Sequence, residues 1–318
     1  LILQRSFPQT VGRGPLWPLN KRLLSGVIRQ GLRDLGPDDI VWVHNRPDSA
    51  AAIASYVRRR RAHLVLHMHN SHIVGYSPTV LRELSPSRTV FCSSFLEAEA
   101  LAHCPTLGPT APIPNGADDK LFFPQAEGEK PKSRDPLTVL FVGRLVPEKG
   151  AHVLIEAMRI LLQRQSRVRA RIIGSSSFSS DQATEYEKSL HHDAPENVEF
   201  LGFVGPQDLG RHFREADVFC CPSTWNEPFG MVNVEAMASG LPVIATRCGG
   251  IPEVFFEGGA LLVEANSPGE IADACQRLEK DPALYEQLAR EGLASFRKNF
   301  TWSAVHRHYR NIAEAFWD

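Results

Sequence analysis

The sequence predicts an α/β protein made of two Rossmann-like, parallel-sheet domains, and three observations carry that prediction. Short apolar runs alternate with helix-like stretches of about 10–15 residues nearly throughout, the pattern of strand–helix–strand crossovers. The chain has 318 residues, the length of two domains at about 150 residues each. One polar stretch without apolar periodicity, residues 126–135, interrupts the alternation and reads as a linker.

The elements follow in order. Before the linker, residues 1–125 hold the apolar runs Ile40–Val43, Leu64–Leu66 and Thr89–Cys92, read as buried strands. Helices are expected over Ser49–Arg61 and Phe95–His103. Leu1–Leu3 is strand-like, and Pro8 to Pro18, with Gly12, Gly14 and Pro15 between them, reads as an irregular loop. After the linker, residues 136–299 hold the runs Val139–Val142, Ala170–Ile173, Val198–Phe200, Val218–Cys221, Val243–Ala245 and Leu261–Val263. The stretch Ala151–Gln163 places apolar residues at 153, 154, 157, 158, 161 and 162, one face of a 3.6-residue period. Helices are also expected over Ser267–Glu279, Ala283–Phe296 and Trp302–Phe316. The last of these, in residues 300–318, is expected to pack back on the first domain.

Composition excludes several classes. Hydrophobic residues at 43% and charged residues at 22% fit a soluble globular chain and exclude disorder, collagen and coiled coil. Lys plus Arg is 35 against 36 Asp plus Glu, a net charge of −1, which argues against a nucleic-acid binder. The balance is uneven: residues 1–125 carry 14 basic and 9 acidic side chains, and the remainder carry 21 and 27. A basic first half suits peripheral contact with an anionic membrane surface or acceptor; ordinary variation between two solvated surfaces explains it equally well. Arg58–Arg61 is open in the same way, as a membrane patch or as cations at a helix C-terminus. The six cysteines are scattered, with no CxxC pair, so a reducing, cytoplasmic setting is expected. No run of about 18 apolar residues and no leader pattern is read.

Four segments at strand ends could carry chemistry. In Gly143-Arg144-Leu145-Val146-Pro147-Glu148-Lys149-Gly150 a buried strand ends in glycine, and a loop with two cations leads into a helix. Ligands of open α/β sheets sit at the carboxyl ends of strands. Gly143 lets a phosphate approach the backbone, and Arg144 and Lys149 can neutralise it. In the second segment, Pro222 to Pro242, Glu227 lies in a loop, Gly230 opens the next helix and Glu235 falls inside it. Exposed amides at that helix start suit sugar or phosphate oxygens. A carboxylate accepts paired hydroxyl hydrogens and so suits diols. Gly249-Gly250-Ile251-Pro252-Glu253 is a third glycine loop of the same kind. In Leu66 to His72, His67 and His69 share a strand face. A metal would need a third ligand that the sequence does not place, and a hydrogen-bonding histidine beside a cleft is the simpler reading. Gly-x-Ser-x-Gly, Gly-x-x-x-x-Gly-Lys-Ser/Thr and Asp-x-Asp do not occur.

Taken together, these segments resemble the retaining glycosyltransferases of family 4, which have the GT-B fold. Glu227 and Glu235 stand eight apart, as in that family's Glu-x7-Glu motif, and the text from Pro222 to Thr246 matches its surroundings. Val142–Gly150 matches the family's phosphate-binding segment, and Ile113–Asp118 its interdomain segment. Val43–Pro47 and Gly174–Phe178 are similar to a bacterial spore-coat or cell-envelope branch. The resemblance runs over about residues 40–318 and is more specific in the second half.

The resemblance implies two Rossmann-like domains facing across a cleft and a metal-independent transfer of sugar, with retention, from a nucleotide sugar, most commonly a UDP-sugar. The acceptor would be a glycan, lipid or small molecule. Arg144 and Lys149 would hold the donor diphosphate, Glu235 the ribose hydroxyls and Glu227 the donor-sugar hydroxyls. Amides around Phe229, Gly230, Met231 and Val232 would hold sugar and phosphate oxygens, Gly174 and Phe203 would flank the base, and His69 would sit near the donor sugar. No metal or other cofactor is implied, in agreement with the missing Asp-x-Asp. The family also opens with a strand, a Gly-rich loop and a helix. Nothing before Ile40 matches them, so the first domain is expected to lack them. A non-catalytic GT-B scaffold or coat protein and a nucleotide-sugar epimerase are the alternative readings.

Overall fold

The computed structural model describes residues 30–125, 136–176 and 183–317. The expected linker at 126–135, the loop from Pro8 to Pro18, the run Leu1–Leu3 and Ser177–Phe178 lie outside the described residues. Contacts divide the chain into two compact units, Leu1–Pro114 with Arg307–Asp318, and Asn115–His306.

The first unit runs β1 (Ile40–His44), α1 (Pro47–Arg59), β2 (His63–Met68), α2 (Pro78–Leu84), β3 (Arg88–Phe91), α3 (Ser94–His103) and β4 (Thr110–Pro112). The strands lie in the order β1-β2-β3-β4 and every pair is parallel. Pro47 starts α1 where its missing N–H costs nothing. Ser77 and Ser93 cap α2 and α3, their hydroxyls accepting from the amides of Val80 and Leu96. The core is Ile53, Val57, Leu64–Leu66, Val90 and Leu96, all buried. Within the basic run, Arg58 donates to the carbonyl of Leu84 at 3.1 Å and Arg60 lies over the Tyr56 ring. The chain's end also belongs to this unit. Tyr309 meets Trp42 edge-on, Phe316 stacks on His63, and Trp317 Nε1 donates to the Asp38 carbonyl at 3.0 Å. The sequence reading held no β4: Thr110-Ala111-Pro112 has no apolar run, and only pairing with β3 makes it a strand.

The second unit continues with β5 (Thr138–Val142), α4 (Ala151–Gln163), β6 (Arg169–Ile173), α5 (Glu185–Asp193), β7 (Val198–Gly202), α6 (Pro206–Glu215) and β8 (Val218–Cys221). Then come α7 (Met231–Ala238), β9 (Val243–Thr246), α8 (Ile251–Val254), β10 (Ala260–Val263), α9 (Pro268–Lys280) and α10 (Pro282–Ser295); α11 (Trp302–Glu314) starts in this unit and from Arg307 counts with the first. A π-helical turn, Phe296–Phe300, buries both its phenylalanines between α10 and α11. The six strands are parallel, in the order β10-β9-β8-β5-β6-β7. The chain builds outward from β5 to β7, then returns to β8 on the other side. The strand order therefore reverses between β5 and β8, and open sheets bind ligands outside the carboxyl ends of such strands. The apolar face of α4 (Leu154, Met158 and Leu161) is buried, and the helix packs beside α9. The segment after Pro114 counts with this unit: Phe122 meets Phe213 edge-on and the Arg214 guanidinium lies over Phe123.

Candidate functional site

Three loops leave the sheet at that reversal point, after β5, β8 and β9, and backbone hydrogen bonds lock them together. The Thr224 amide donates to the Glu148 carbonyl at 2.9 Å, and its hydroxyl to Pro147. The Gly250 amide donates to the Glu227 carbonyl at 2.7 Å, and Thr246 Oγ1 to the Ser223 carbonyl at 2.7 Å. The β6 loop joins them, with the Gly143 amide on Ile173 and the Leu145 amide on Ser175, each at 3.0 Å. At Gly174, φ is +142° and a Cβ would fall on the Gly143 carbonyl oxygen, so only glycine permits this approach. Short ties of this kind hold side chains at fixed separations, which positioning chemistry requires.

Glu227 is the centre of the arrangement. Lys149 Nζ lies 2.8 Å from both carboxylate oxygens, Trp225 Nε1 donates to Oε2 at 2.8 Å and Ser223 Oγ to the same oxygen at 3.3 Å. Lys149 also lies over the Trp225 ring at 5.6 Å. The Lys149 and Glu227 side chains are only 23% and 12% exposed, so the pair is shielded from salt more than a surface bridge. Arg144, in the same loop as Lys149, is exposed and makes no side-chain hydrogen bond or ion pair among the described residues.

Past Glu227 the chain turns into α7. Phe229 is buried against Phe300, and Gly230 is the N-cap, with φ +86°. A Cβ there would stand 2.6 Å from Asn233 Nδ2. The first amides of a helix, here Met231 and Val232, have no intrahelical acceptor and favour negative charge or oxygen. Glu235 lies one turn further on. Its carboxyl has no partner among the described residues, and burial pushes it up to about 7. Gly174 follows β6, its amide donating to the Gly202 carbonyl at 2.8 Å; Phe203, the residue after Gly202, is 59% exposed.

His69 stands at the end of β2 in the first unit, its amide donating to Asn45 Oδ1 at 2.6 Å. The parallel register sets His44 opposite His67, and His44 Nδ1 lies 3.0 Å from His69 Nε2. Burial, then the neighbouring imidazoles, lowers His44 to about 4 and His67 to about 2.

Sequence reasoning reached Gly143, Arg144, Lys149, Gly174, Phe203, Glu227, Phe229–Val232 and Glu235, and the structure puts them in the segments that follow β5, β6, β7 and β8, with Met231, Val232 and Glu235 in α7. It missed Trp225 and Ser223, although Trp225 stands only two residues before Glu227 in the same loop. It also missed His44, whose meeting with His67 and His69 depends on strand register, and register leaves no local mark.

Residues 123–294, more than half of the chain, match the glycosyl transferases group 1 family. The chain belongs to that family. The matched span contains the second-unit site residues from Gly143 to Glu235. Among group 1 relatives and their like, spore coat protein SA of Bacillus subtilis (strain 168) is 29% identical over 297 residues, covering 87% of this chain and 78% of that protein. A D-inositol 3-phosphate glycosyltransferase of Corynebacterium glutamicum (strain R) is 37% identical over 203 residues, 60% of this chain and 48% of that one. The match thus spans about half the length of that relative. The fold is GT-B. Sucrose-phosphate synthase of Thermosynechococcus elongatus superposes with a TM-score of 0.77 at 24% identity, covering 96% of this chain and 81% of that one. Anabaena HepE, solved with UDP and glucose, gives 0.75 at 24% identity, covering 95% and 83%. No helix among the described residues is long and apolar enough to cross a membrane.

Proposed function

We propose that this group 1 glycosyltransferase moves a sugar from a UDP-sugar to a glycan, lipid or small-molecule acceptor, with retention and without a divalent ion on the donor. The observation that carries the reading is the Glu227 carboxylate clamped by Lys149 and Trp225 beside the open amides of α7. In this reading Arg144 and Lys149 neutralise the donor diphosphate. Glu227 accepts from sugar hydroxyls and Glu235 from the ribose diol. Gly174 and Phe203 flank the base, amides around Phe229–Val232 take sugar and phosphate oxygens, and His69 serves the donor sugar.

Retention follows front-face attack: the acceptor oxygen bonds to the anomeric carbon as the bond to the diphosphate breaks. The departing phosphate oxygen takes the acceptor proton. No protein base is needed, and the protein's share is positioning and stabilising the developing phosphate charge. Two cations at one loop serve the role a metal would otherwise serve. The six free cysteines, all buried, support a reducing, cytoplasmic setting, and the basic first half supports peripheral contact with an anionic membrane.

The test is UDP release from UDP-glucose against a panel of acceptors, with product stereochemistry read by NMR. An α-linked product supports retention, and a β-linked product removes it. A second reading, a coat component that binds sugar nucleotide without turnover, is favoured by the name of the Bacillus relative. Binding of UDP-glucose without release or transfer across the panel selects it.

A further inference from the structure

The imidazoles at the end of β1 and β2 are only partly used by the reading above, which engages His69 alone. His67 is fully buried, and neither of its ring nitrogens has a hydrogen-bond partner among the described residues. An imidazole always offers at least one donor or acceptor. Burying one unmatched costs about 1–3 kcal/mol, so such a ring calls for an explanation.

Its surroundings converge on it. His69 shares its strand face, with ring centroids 4.0 Å apart, and His44 lies across the register at 5.0 Å. One ligand nitrogen can be taken from each ring so that all three lie within 4.8 Å of one another. Trp42 and Tyr309 wall the cluster with aromatic rings. The backbone beneath is fixed by Asn45, whose Oδ1 accepts from the His69 amide and whose own amide donates to the His67 carbonyl at 2.8 Å. Asn45 holds a positive φ of 51° to do so, and asparagine tolerates that region better than other side chains.

Three converging nitrogens on a fixed backbone, one of them buried and unmatched, describe a ligand set. We propose that His44, His67 and His69 form a binding site for one divalent transition-metal ion of the zinc class, with a fourth position left open. Zinc–nitrogen bonds of about 2.0–2.1 Å in a tetrahedron put ligand nitrogens about 3.4 Å apart. His44 and His69 already approach more closely than that, at 3.0 Å. Closing the remaining span requires the exposed His44 ring, stacked on His69 and hydrogen-bonded to it, to turn and exchange that bond for the shared ion. A set of three imidazoles without a carboxylate favours Zn²⁺, Co²⁺, Ni²⁺ or Cu²⁺ over Mg²⁺ and Ca²⁺, which demand oxygen ligands. The ligand set lies wholly within the first unit and shares only His69 with the donor reading above; His44 and His67 have no part in that reading.

The experiment uses the full chain stripped of metal. Co²⁺ is titrated with visible absorption as the readout, and Zn²⁺ against a chromophoric chelator. One Co²⁺ per chain with the intense d–d bands of a tetrahedral site is expected, displaced by Zn²⁺ and not by Mg²⁺. His44→Ala, which removes an exposed ring and leaves the fold intact, weakens Zn²⁺ binding by at least about 100-fold, beyond the loss typical of an outer-shell partner. His69→Ala does the same, and His191→Ala, at an exposed histidine of the second unit, changes nothing. Absence of a saturable site in the wild type, equal affinity in His44→Ala, or a thiolate charge-transfer band showing cysteine ligation would each overturn the site.

Discussion

Two carboxylates eight residues apart stand in opposite electrostatic states. Glu227, in the loop after β8, receives three donors, one of them the Lys149 ammonium. Glu235, inside α7, receives none among the described residues and is pushed up to about 7 by burial. The loop residue has its charge balanced before any ligand arrives. The helix residue is a desolvated acid whose ionised form gains only when a hydroxyl donor reaches it. Two acids of one motif are thus prepared for different tasks, the first by pairing and the second by burial.

The largest expected effect falls on the paired side. Lys149→Ala removes a cation that balances Glu227 and, in the proposed reading, the leaving diphosphate; turnover from a UDP-sugar falls by about 10²–10³-fold, the usual loss for a preorganised charge donor. Loss below about threefold would break the contrast, because the pair would then be only structural. Glu235→Ala acts on binding instead. UDP affinity falls by at least about tenfold, about the worth of a charge-assisted hydrogen bond, while uridine-free diphosphate binds unchanged. An equal loss for both ligands would move Glu235 away from the ribose.

The pH response sharpens the same contrast. Glu235 titrates near 7 in the folded chain against 4.5 in its ordinary environment. As pH rises, the unfolded chain gives up this proton first, so the contribution to stability is complete below 4.5 and is lost as pH rises through 7. The loss is on the order of 3 kcal/mol. Glu235→Gln should flatten that slope and raise the melting temperature at pH 8 relative to the wild type. The nucleotide works the other way: hydroxyl donors favour the carboxylate, so UDP affinity rises with pH up to about 7 in the wild type and not in Glu235→Gln. A pH slope shared by both proteins would come from the phosphate, not from Glu235. The smallest effect is expected from Mg²⁺, which should alter turnover by less than about twofold, since two cations already face the proposed diphosphate.

Much of this was legible in the sequence because it is local. The apolar runs at Val139–Val142 and Val218–Cys221 announce β5 and β8 to the residue or nearly so. The 3.6-residue face of Ala151–Gln163 gives α4 with the same ends. Glycine after a strand, cations before a helix and a carboxylate in each half of the motif are features of neighbouring residues. What stayed hidden is what pairing makes. β4 exists through β3, and the strand reversal between β5 and β8 is a matter of order in space. Lys149 and Glu227 are far apart in sequence, and nothing near either one shows that they would hold each other at 2.8 Å. His44 likewise joins His67 and His69 only through parallel register.

The measurement that bears most directly on the contrast between the two acids is calorimetric titration of UDP into the wild-type chain and Glu235→Ala, with GDP and ADP alongside. The account predicts saturable UDP binding to the wild type, weakened at least about tenfold in the variant. Equal affinity in the two proteins, or no nucleotide binding to either, would contradict it.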